Sequence, residues 1–177
     1  MNYQIKLKAY NESLKILSGY DIMRSLVIYY TKTGNTRIVA KTIQEELGAH
    51  LKEITDYTNE RTVIEYMFTS LIDSASINPR KVDIDYYETI FIGTPVWLGS
   101  ITPAIKKIID NIDFKNKNII LFNTMKGVGG DIAIKRMTKL VRKHNGNIIG
   151  AFSIITRGLE NDIITSTHEA LNDLNIT

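Results

Sequence analysis

The chain has 177 residues, a formal net charge of +3 and no cysteine. Its 44% hydrophobic and 23% charged residues are typical of a soluble globular domain. Without cysteine there is no disulfide, thiol nucleophile or cysteine-based metal site, which suits a cytoplasmic protein. No apolar stretch reaches the roughly 20 residues of a membrane helix. The charge is too small to indicate nucleic-acid binding, so we expect neither a membrane nor a nucleic acid as partner.

The first 24 residues fit none of the pattern that follows them. Residues 10–17 have some helical character, which would suit a short N-terminal appendage. Met23 stands just ahead of the first strand, so translation starting at Met23 is an alternative. We therefore divide the chain into an appendage, residues 1–24, and one domain, residues 25–177.

From residue 25 onward, short apolar strands alternate with longer segments of helical period. Strands are predicted over residues 25–30, 51–54, 89–93, 118–122 and 147–154. Helices are predicted over residues 36–47, 60–73, 103–111, 131–144 and 159–174. This alternation predicts an α/β fold, a doubly wound five-stranded parallel sheet with helices on both faces in three α/β/α layers.

Several residues mark the predicted helix ends. Gly48 is a C-cap for the first helix, because glycine adopts the left-handed conformation without strain. Pro103 suits the first turn of a later helix, where a missing N–H costs nothing. Asn161 or Asp162 is the predicted N-cap of the last helix.

Ligands of such sheets bind at the edge formed by the carboxyl ends of the strands. Three loops lead away from that edge, over residues 31–36, 94–102 and 123–130, and all three are rich in glycine, hydroxyls or amides. We therefore expect the three loops to form one site.

The first loop reads Thr31-Lys32-Thr33-Gly34-Asn35-Thr36. Gly34 permits a sharp turn from strand to helix, and the free amides at a helix start attract anions. An N-cap by Thr36 would explain this residue and Gly34 but would leave Thr31 and Thr33 without a role. The loop is therefore either a capped turn or a nest for an anion such as phosphate.

Other nucleotide and phosphate motifs are missing. The chain contains no G-x-x-x-x-G-K-[ST] run and has no G-x-G-x-x-G after its first strand. A phospho-acceptor response regulator needs acidic residues at the end of the first strand, where this chain has Tyr29 and Tyr30.

The second loop contains Trp97, the only tryptophan of the chain, between Pro95 and Gly99. Trp97 either packs under the following helix or forms a stacking wall for a flat aromatic ligand. Either function gives the large ring a reason to lie in a loop.

Together, the two loops resemble the flavodoxin family. Thr31-x-Thr33-Gly34-x-Thr36 follows the first strand, and Ile92-Gly93-Thr94-Pro95-Val96-Trp97-Leu98-Gly99 follows the third. The resemblance covers roughly residues 25–174. It implies a flavodoxin-like sheet in the order 2-1-3-4-5 that binds flavin mononucleotide (FMN).

The resemblance also implies which residues bind FMN. The phosphate would lie on the first loop, at Thr31, Thr33, Gly34, Asn35 and Thr36, and Lys32 of the same loop is also predicted to bind the cofactor. The flavin ring would lie between the second and third loops, with Trp97 against one face. The predicted ring contacts are Thr94, Pro95, Val96, Trp97, Leu98, Gly99, Asn123, Thr124, Met125, Lys126 and Gly127.

The chain departs from the family pattern in two respects. Flavodoxins commonly supply a second aromatic ring from the third loop, where this chain has Asn123-Thr124-Met125-Lys126-Gly127. Met125 would have to pack on the flavin instead, and Lys126 would favour the reduced anionic form. Many flavodoxins are strongly acidic, whereas this chain carries +3.

Three functions follow as expectations. The chain is an electron carrier between redox partner proteins, an FMN-dependent NAD(P)H:quinone-type oxidoreductase acting on a small electron acceptor, or a binding module without redox turnover. Electron transfer requires no general acid or base, because the flavin supplies the redox chemistry. His50, His144 and His168 share no motif, so we predict neither catalytic histidines nor a metal site.

Overall fold

A computed structural model describes residues 24–56 and 76–176. The helix predicted over residues 60–73 and the predictions for the appendage and Met23 lie outside the described residues. The described elements are β1 (Ser25–Tyr30), α1 (Asn35–Leu47), β2 (His50–Asp56), β3 (Ile77–Asn78), β4 (Thr89–Pro95), α2 (Pro103–Asp110), β5 (Asn118–Met125), α3 (Gly130–Lys143), β6 (Asn147–Ile155) and α4 (Glu160–Asp173).

The six strands form one mixed sheet in the order β3-β2-β1-β4-β5-β6. The five longer strands pair in parallel, whereas β3 runs antiparallel to β2. The prediction of a five-stranded, wholly parallel sheet is therefore wrong at this edge. Strand β3 has only two residues and is followed by Pro79, which has no N–H for a further ladder bond. Two residues are too few to show a hydrophobic period, so the sequence indicated only the end of the preceding helical pattern at this point.

The central strands are buried on both faces of the sheet, which explains why they are continuous apolar runs. Alternate side chains face opposite layers. Ile28 and Leu121 lie in a cluster with residues of α2 and α3. Val27 and Phe91 lie in a second cluster with residues of α1 and α4. These two clusters hold the strand ends, and therefore the loops that follow them, in place.

Two of the predicted helix ends are confirmed and one is wrong. Gly48 closes α1 with φ +64° and donates its N–H to the Gln44 carbonyl, and Pro103 opens α2. The N-cap of α4 is Leu159, not Asn161 or Asp162. The Asp162 carboxylate instead accepts a 2.7 Å hydrogen bond from the Leu159 N–H. An acidic side chain at the third helical position can satisfy a terminal amide in this way. None of the described helices has the length and apolarity needed to cross a bilayer.

Candidate functional site

The three predicted loops meet at the carboxyl ends of β1, β4 and β5. The second loop continues the sheet for one residue, because the Val96 N–H donates to the Thr124 carbonyl at 2.8 Å. A Cβ placed on Gly129 would lie 2.9 Å from Cα of Gly99, so the backbones of the second and third loops are in contact. These contacts agree with the expectation that the loops lie together at one edge of the sheet.

In the first loop, the left-handed turn falls at Gly34, with φ +94°. The Gly34 N–H donates to the Thr31 hydroxyl at 3.1 Å, so Thr31 folds the loop. Thr36 does not cap α1, because the N-cap is Gly34 and no side chain makes a capping hydrogen bond. The Thr36 hydroxyl is buried and lies 2.8 Å from that of Thr124, joining the first loop to the third.

The start of α1 suits an anion. Its first amides have no intrahelical acceptor, and they carry the positive end of the helix dipole. Thr33 and Lys32 are exposed beside the turn, and Asn35 is half-buried at the first helical position. A phosphate would therefore meet backbone N–H groups and hydroxyls at the place where the resemblance put it.

A partly exposed hydrogen-bond network joins the first turn of α1 to β2. Arg37 donates two hydrogen bonds to the Glu53 carboxylate, from Nε at 2.9 Å and from Nη2 at 2.6 Å. The Tyr29 hydroxyl donates to the same carboxylate at 2.8 Å. Burial, followed by the Glu53 hydrogen bond, raises the pKa of Tyr29 to about 12. The hydrogen bonds from Arg37 raise the arginine pKa and lower that of Glu53.

Replacing Glu53 with glutamine is expected to flatten the acid limb of the stability curve. The pKa of Glu53 in the folded protein lies below its usual 4.5. Its contribution to the free energy of unfolding is therefore fully present above pH 4.5 and is lost as the pH falls through the lowered pKa. Urea unfolding from pH 7 to pH 3 measures this. The stability difference between wild type and Glu53→Gln should be largest near neutrality and shrink in acid. Glu45→Gln, at an exposed position of α1, is the control; equal pH profiles for both variants would contradict the prediction.

The second loop ends in a tight turn closed by reciprocal hydrogen bonds. The backbone N–H of Trp97 donates to the Ser100 carbonyl at 3.0 Å, and the backbone N–H of Ser100 donates to the Trp97 carbonyl at 2.9 Å. The two central residues, Leu98 and Gly99, have φ values of +48° and +72°. Leu98 therefore holds a conformation that a branched side chain rarely adopts. Arg136 of α3 donates to the Ser100 hydroxyl at 2.5 Å and ties the turn to that helix.

Trp97 is half-buried. Its ring meets the Tyr30 ring edge to face, with centroids 5.9 Å apart and planes at 85°, and it packs against the core cluster on the α2 and α3 side. Part of the Trp97 ring surface is thus buried against the interior, while another part is in contact with solvent. Burial, together with Asp56, raises the pKa of Tyr30 to about 12, so its hydroxyl stays protonated beside the indole at neutral pH.

Two predicted site residues support the loops from beneath. Thr94 is fully buried, and its hydroxyl lies 3.1 Å from that of Thr102 and accepts the Thr102 N–H at 3.2 Å. Asn123 is also fully buried and donates to the Gly130 carbonyl at 3.1 Å and to the Ser153 hydroxyl at 3.0 Å. Among the described residues, no donor reaches its Oδ1. A buried acceptor of this kind costs free energy until a donor reaches it.

The remaining predicted site residues belong to the second and third loops. Pro95 and Val96 are half-buried at the start of the second loop. In the third loop Met125 and Gly127 are half-buried, whereas Lys126 is exposed.

A fourth loop, residues 156–159, also belongs to this edge, and sequence reasoning missed it. The Thr156 N–H donates to the Met125 carbonyl at 2.8 Å, and Arg157 Nε donates to the Lys126 carbonyl. The missed signal was topological: this loop follows β6, a parallel strand, and parallel strands end at the same edge. Arg157 thus holds the third loop in place.

The fold is that of an α/β protein whose candidate ligand site lies at the carboxyl edge of a doubly wound sheet. The sequence model of the flavodoxin family matches residues 24–151, and the chain belongs to this family. The chain is 31% identical over 134 residues to BilS of Clostridioides difficile, a flavodoxin-like domain-containing protein. It is 29% identical over 108 residues to a flavodoxin of Synechocystis.

These matches cover 73% and 58% of this chain but only 64% and 52% of the two relatives. A flavoprotein of Lactobacillus acidophilus, solved in complex with FMN, shares the fold with a TM-score of 0.66 and 22% identity. The likeness covers 74% of this chain and 93% of that protein.

Proposed function

We propose that this protein binds FMN at the carboxyl edge of its sheet and carries electrons between redox partners. The observation that carries the proposal is the start of α1, which opens at Gly34 without a side-chain cap beside two touching loops. An uncapped helix start is a binding place for phosphate. Membership of the flavodoxin family and the FMN complex of the Lactobacillus acidophilus protein support the same ligand.

Each part of the site has its own task in this proposal. Thr31, Thr33 and the first amides of α1 would hold the phosphate. Trp97 would form one wall of the ring site, and backbone groups of the second and third loops would hold the ring edge. When bound, FMN supplies the redox chemistry, and the protein tunes it through charge, packing and hydrogen bonds. Lys126 and Arg157 place positive charge at the third loop, which favours a reduced, anionic ligand.

The outer surface of these loops favours electron transfer between proteins over turnover of a small substrate. Leu98 and Val128, on the second and third loops, are exposed large hydrophobic residues. Exposed apolar side chains beside a redox site suit brief contact with another protein.

The absorbance spectrum of the purified protein, with and without added FMN, tests the ligand. A yellow protein with a bound-flavin spectrum supports the proposal, and a colourless protein that fails to bind added FMN overturns it. Mixing the loaded protein with NAD(P)H and a quinone tests the role. A carrier should show no steady turnover without a separate reductase, whereas steady turnover would make the protein an oxidoreductase.

Replacing Trp97 with alanine is expected to weaken FMN binding by about 1–3 kcal/mol, or roughly 5- to 150-fold in dissociation constant. The loss arises because the indole would no longer cover the ring. Quenching of FMN fluorescence measures the constant, and Trp97→Phe is the matched control because it keeps an aromatic face. An unchanged constant for Trp97→Ala would mean that Trp97 serves only the packing against Tyr30.

A further inference from the structure

Strand β6 forms one outer edge of the sheet. Within residues 24–56 and 76–176, it pairs with β5 and with no strand on its other side. The strand, Asn147–Ile155, contains no charged residue and no proline. Charges, prolines or a covering segment commonly protect the free N–H and C=O groups of such an edge from unwanted strand pairing. Because β6 lacks the first two, a covering segment is the remaining protection.

Most of this edge is regular and partly apolar. The only register shift falls opposite Ile149, and residues 150–155 pair one by one with β5. Ala151 and Ile155 are exposed, and Ile155 is 55% exposed. Ala151 pairs with Leu121, whose side chain belongs to the cluster on the α2 and α3 side of the sheet. The exposed apolar side chains of the edge therefore lie on the α3 side.

Residues 2–10 have the sequence pattern of a strand with one apolar face. Apolar side chains occupy every second position, at Tyr3, Ile5, Leu7 and Ala9. Polar side chains occupy the positions between them, at Asn2, Gln4, Lys6 and Lys8. A period of two is typical of a half-buried strand, and lysine is common in strands at sheet edges.

The chain between this segment and β1 is long enough to reach β6. Residues 11–23 join the segment to Arg24, immediately before β1, and they span up to about 40 Å when extended. Strand β6 is the third strand along from β1, or about 14 Å away. All strands from β1 to β6 in this part of the sheet run in parallel, so an antiparallel segment on β6 would end at the same edge at which β1 begins.

We propose that residues 2–10 pair with the free edge of β6 as an additional antiparallel strand, with their apolar side chains on the α3 side beside Ala151 and Ile155. The opposite outer strand, β3, has two residues and is too short for a segment of this length. The proposal does not depend on FMN binding, because this edge lies outside the candidate site.

A second copy of the chain does not suit this edge. Antiparallel pairing of β6 with β6 of another copy would bring the two α3 helices side by side on one face of the joined sheet. Each α3 carries one carboxylate, Asp131, against five cations, at Lys135, Arg136, Lys139, Arg142 and Lys143. Like charges would therefore oppose that pairing.

The helix on the other face offers carboxylates to the two lysines of the segment. Helix α4 contacts both β6 and α1. His168 of α4 lies 3.2 Å from the Glu46 carboxylate of α1, which identifies the flank that faces α1. Asp162 and Asp173 are exposed on the flank away from His168, at helical spacing. With the apolar side chains on the α3 side, both lysines would face this acidic flank.

Cysteine cross-linking tests the pairing in the full chain. The protein has no cysteine, so two introduced thiols can bond only each other. Ala151→Cys, at an exposed position, is combined in turn with a cysteine at each of residues 3–9 and oxidised at low protein concentration. At least one apolar position, Tyr3, Ile5, Leu7 or Ala9, should form an intramolecular disulfide about tenfold faster than Gln4, Lys6 or Lys8. The alternation arises because side chains of a strand point to opposite faces in turn.

Asn78→Cys provides the matched control, because Asn78 is an exposed residue of the other outer strand. Combined with the same N-terminal cysteines, it should cross-link only at the background rate. Equal rates at apolar and polar positions, or equal rates with Asn78→Cys and Ala151→Cys, would overturn the proposal. Disulfides that form only between two chains would also overturn it and would assign the edge to a second copy.

Charge reversal tests which face the lysines occupy. In the fastest cross-linking pair, Lys6→Glu/Lys8→Glu should slow disulfide formation at low salt by about threefold or more, because carboxylates would then face carboxylates of α4. High salt should remove most of this effect. Lys6→Gln/Lys8→Gln is the control and should have a smaller effect. Equal rates for the two double variants would contradict the placement of the lysines on the α4 side.

Discussion

Replacing Gly93 with alanine is expected to lower the free energy of unfolding by about 2–3 kcal/mol, as overpacking of a dense core does. Gly93 lies in β4, at the middle of the sheet, and pairs with Tyr29 on one side and Phe122 on the other. A Cβ at this position would lie 2.1 Å from Cζ of Phe122. The Phe122 ring is fully buried and stacks on Phe152 with centroids 5.6 Å apart, so it has little space to move away.

Urea unfolding of four proteins measures this effect: wild type, Gly93→Ala, Phe122→Leu and the double variant. Because leucine removes the ring that meets the new methyl group, Gly93→Ala should cost much less in the Phe122→Leu background. Strictly additive losses would show that the clash with Phe122 is not the cause. Gly93→Ala also tests how strongly the core positions the candidate site, because Thr94 and the second loop follow Gly93 directly.

Replacing Gly129 with alanine is expected to weaken FMN binding at least tenfold, or by about 1.4 kcal/mol. Two effects add at this position. Its φ of +99° is strained for any residue with a Cβ, and that Cβ would meet Cα of Gly99 at 2.9 Å. The obstacle is backbone, so relief requires the second and third loops to move apart. In the proposed function, the flavin ring lies between these loops.

Gly48→Ala is the matched control for this variant. Gly48 also has a positive φ, +64°, but a Cβ there would meet nothing within 4 Å, and it lies at the far end of α1. Gly48→Ala should therefore cost about 1 kcal/mol of stability through backbone strain alone and leave the FMN dissociation constant unchanged. If both variants bind FMN like the wild type, the second and third loops do not hold the ligand.

Much of the fold follows from local chemistry that the sequence displays. The buried strands are apolar on both faces, so β1, β4 and β5 appear as continuous hydrophobic runs. Gly48 and Pro103 mark helix ends because their backbone restrictions act at one residue. Strand β3 escaped this reasoning, because its two residues pair with β2 through position in the fold and carry no pattern of their own.

The same contrast applies to the candidate site. Gly34 and the hydroxyls of the first loop indicated an anion site, because their chemistry is local to a strand–turn–helix segment. The functions of individual side chains were not visible in this way. Thr36 bonds Thr124 in place of capping its helix, a contact between residues 88 positions apart. Arg157 reaches the third loop from the loop after β6.

Residue types and their spacing along this chain were thus enough to predict the class of fold and the family, and they pointed to one edge of the sheet as the candidate ligand site. Folding decided which polar groups support the site and which face outward. Thr94 and Asn123 are buried, while Leu98, Val128 and Leu159 are exposed on the loops that follow β4, β5 and β6. The reason is that strand and helix periods are local properties of the backbone. Contacts between loops depend instead on how the whole sheet places strand ends that lie far apart in sequence.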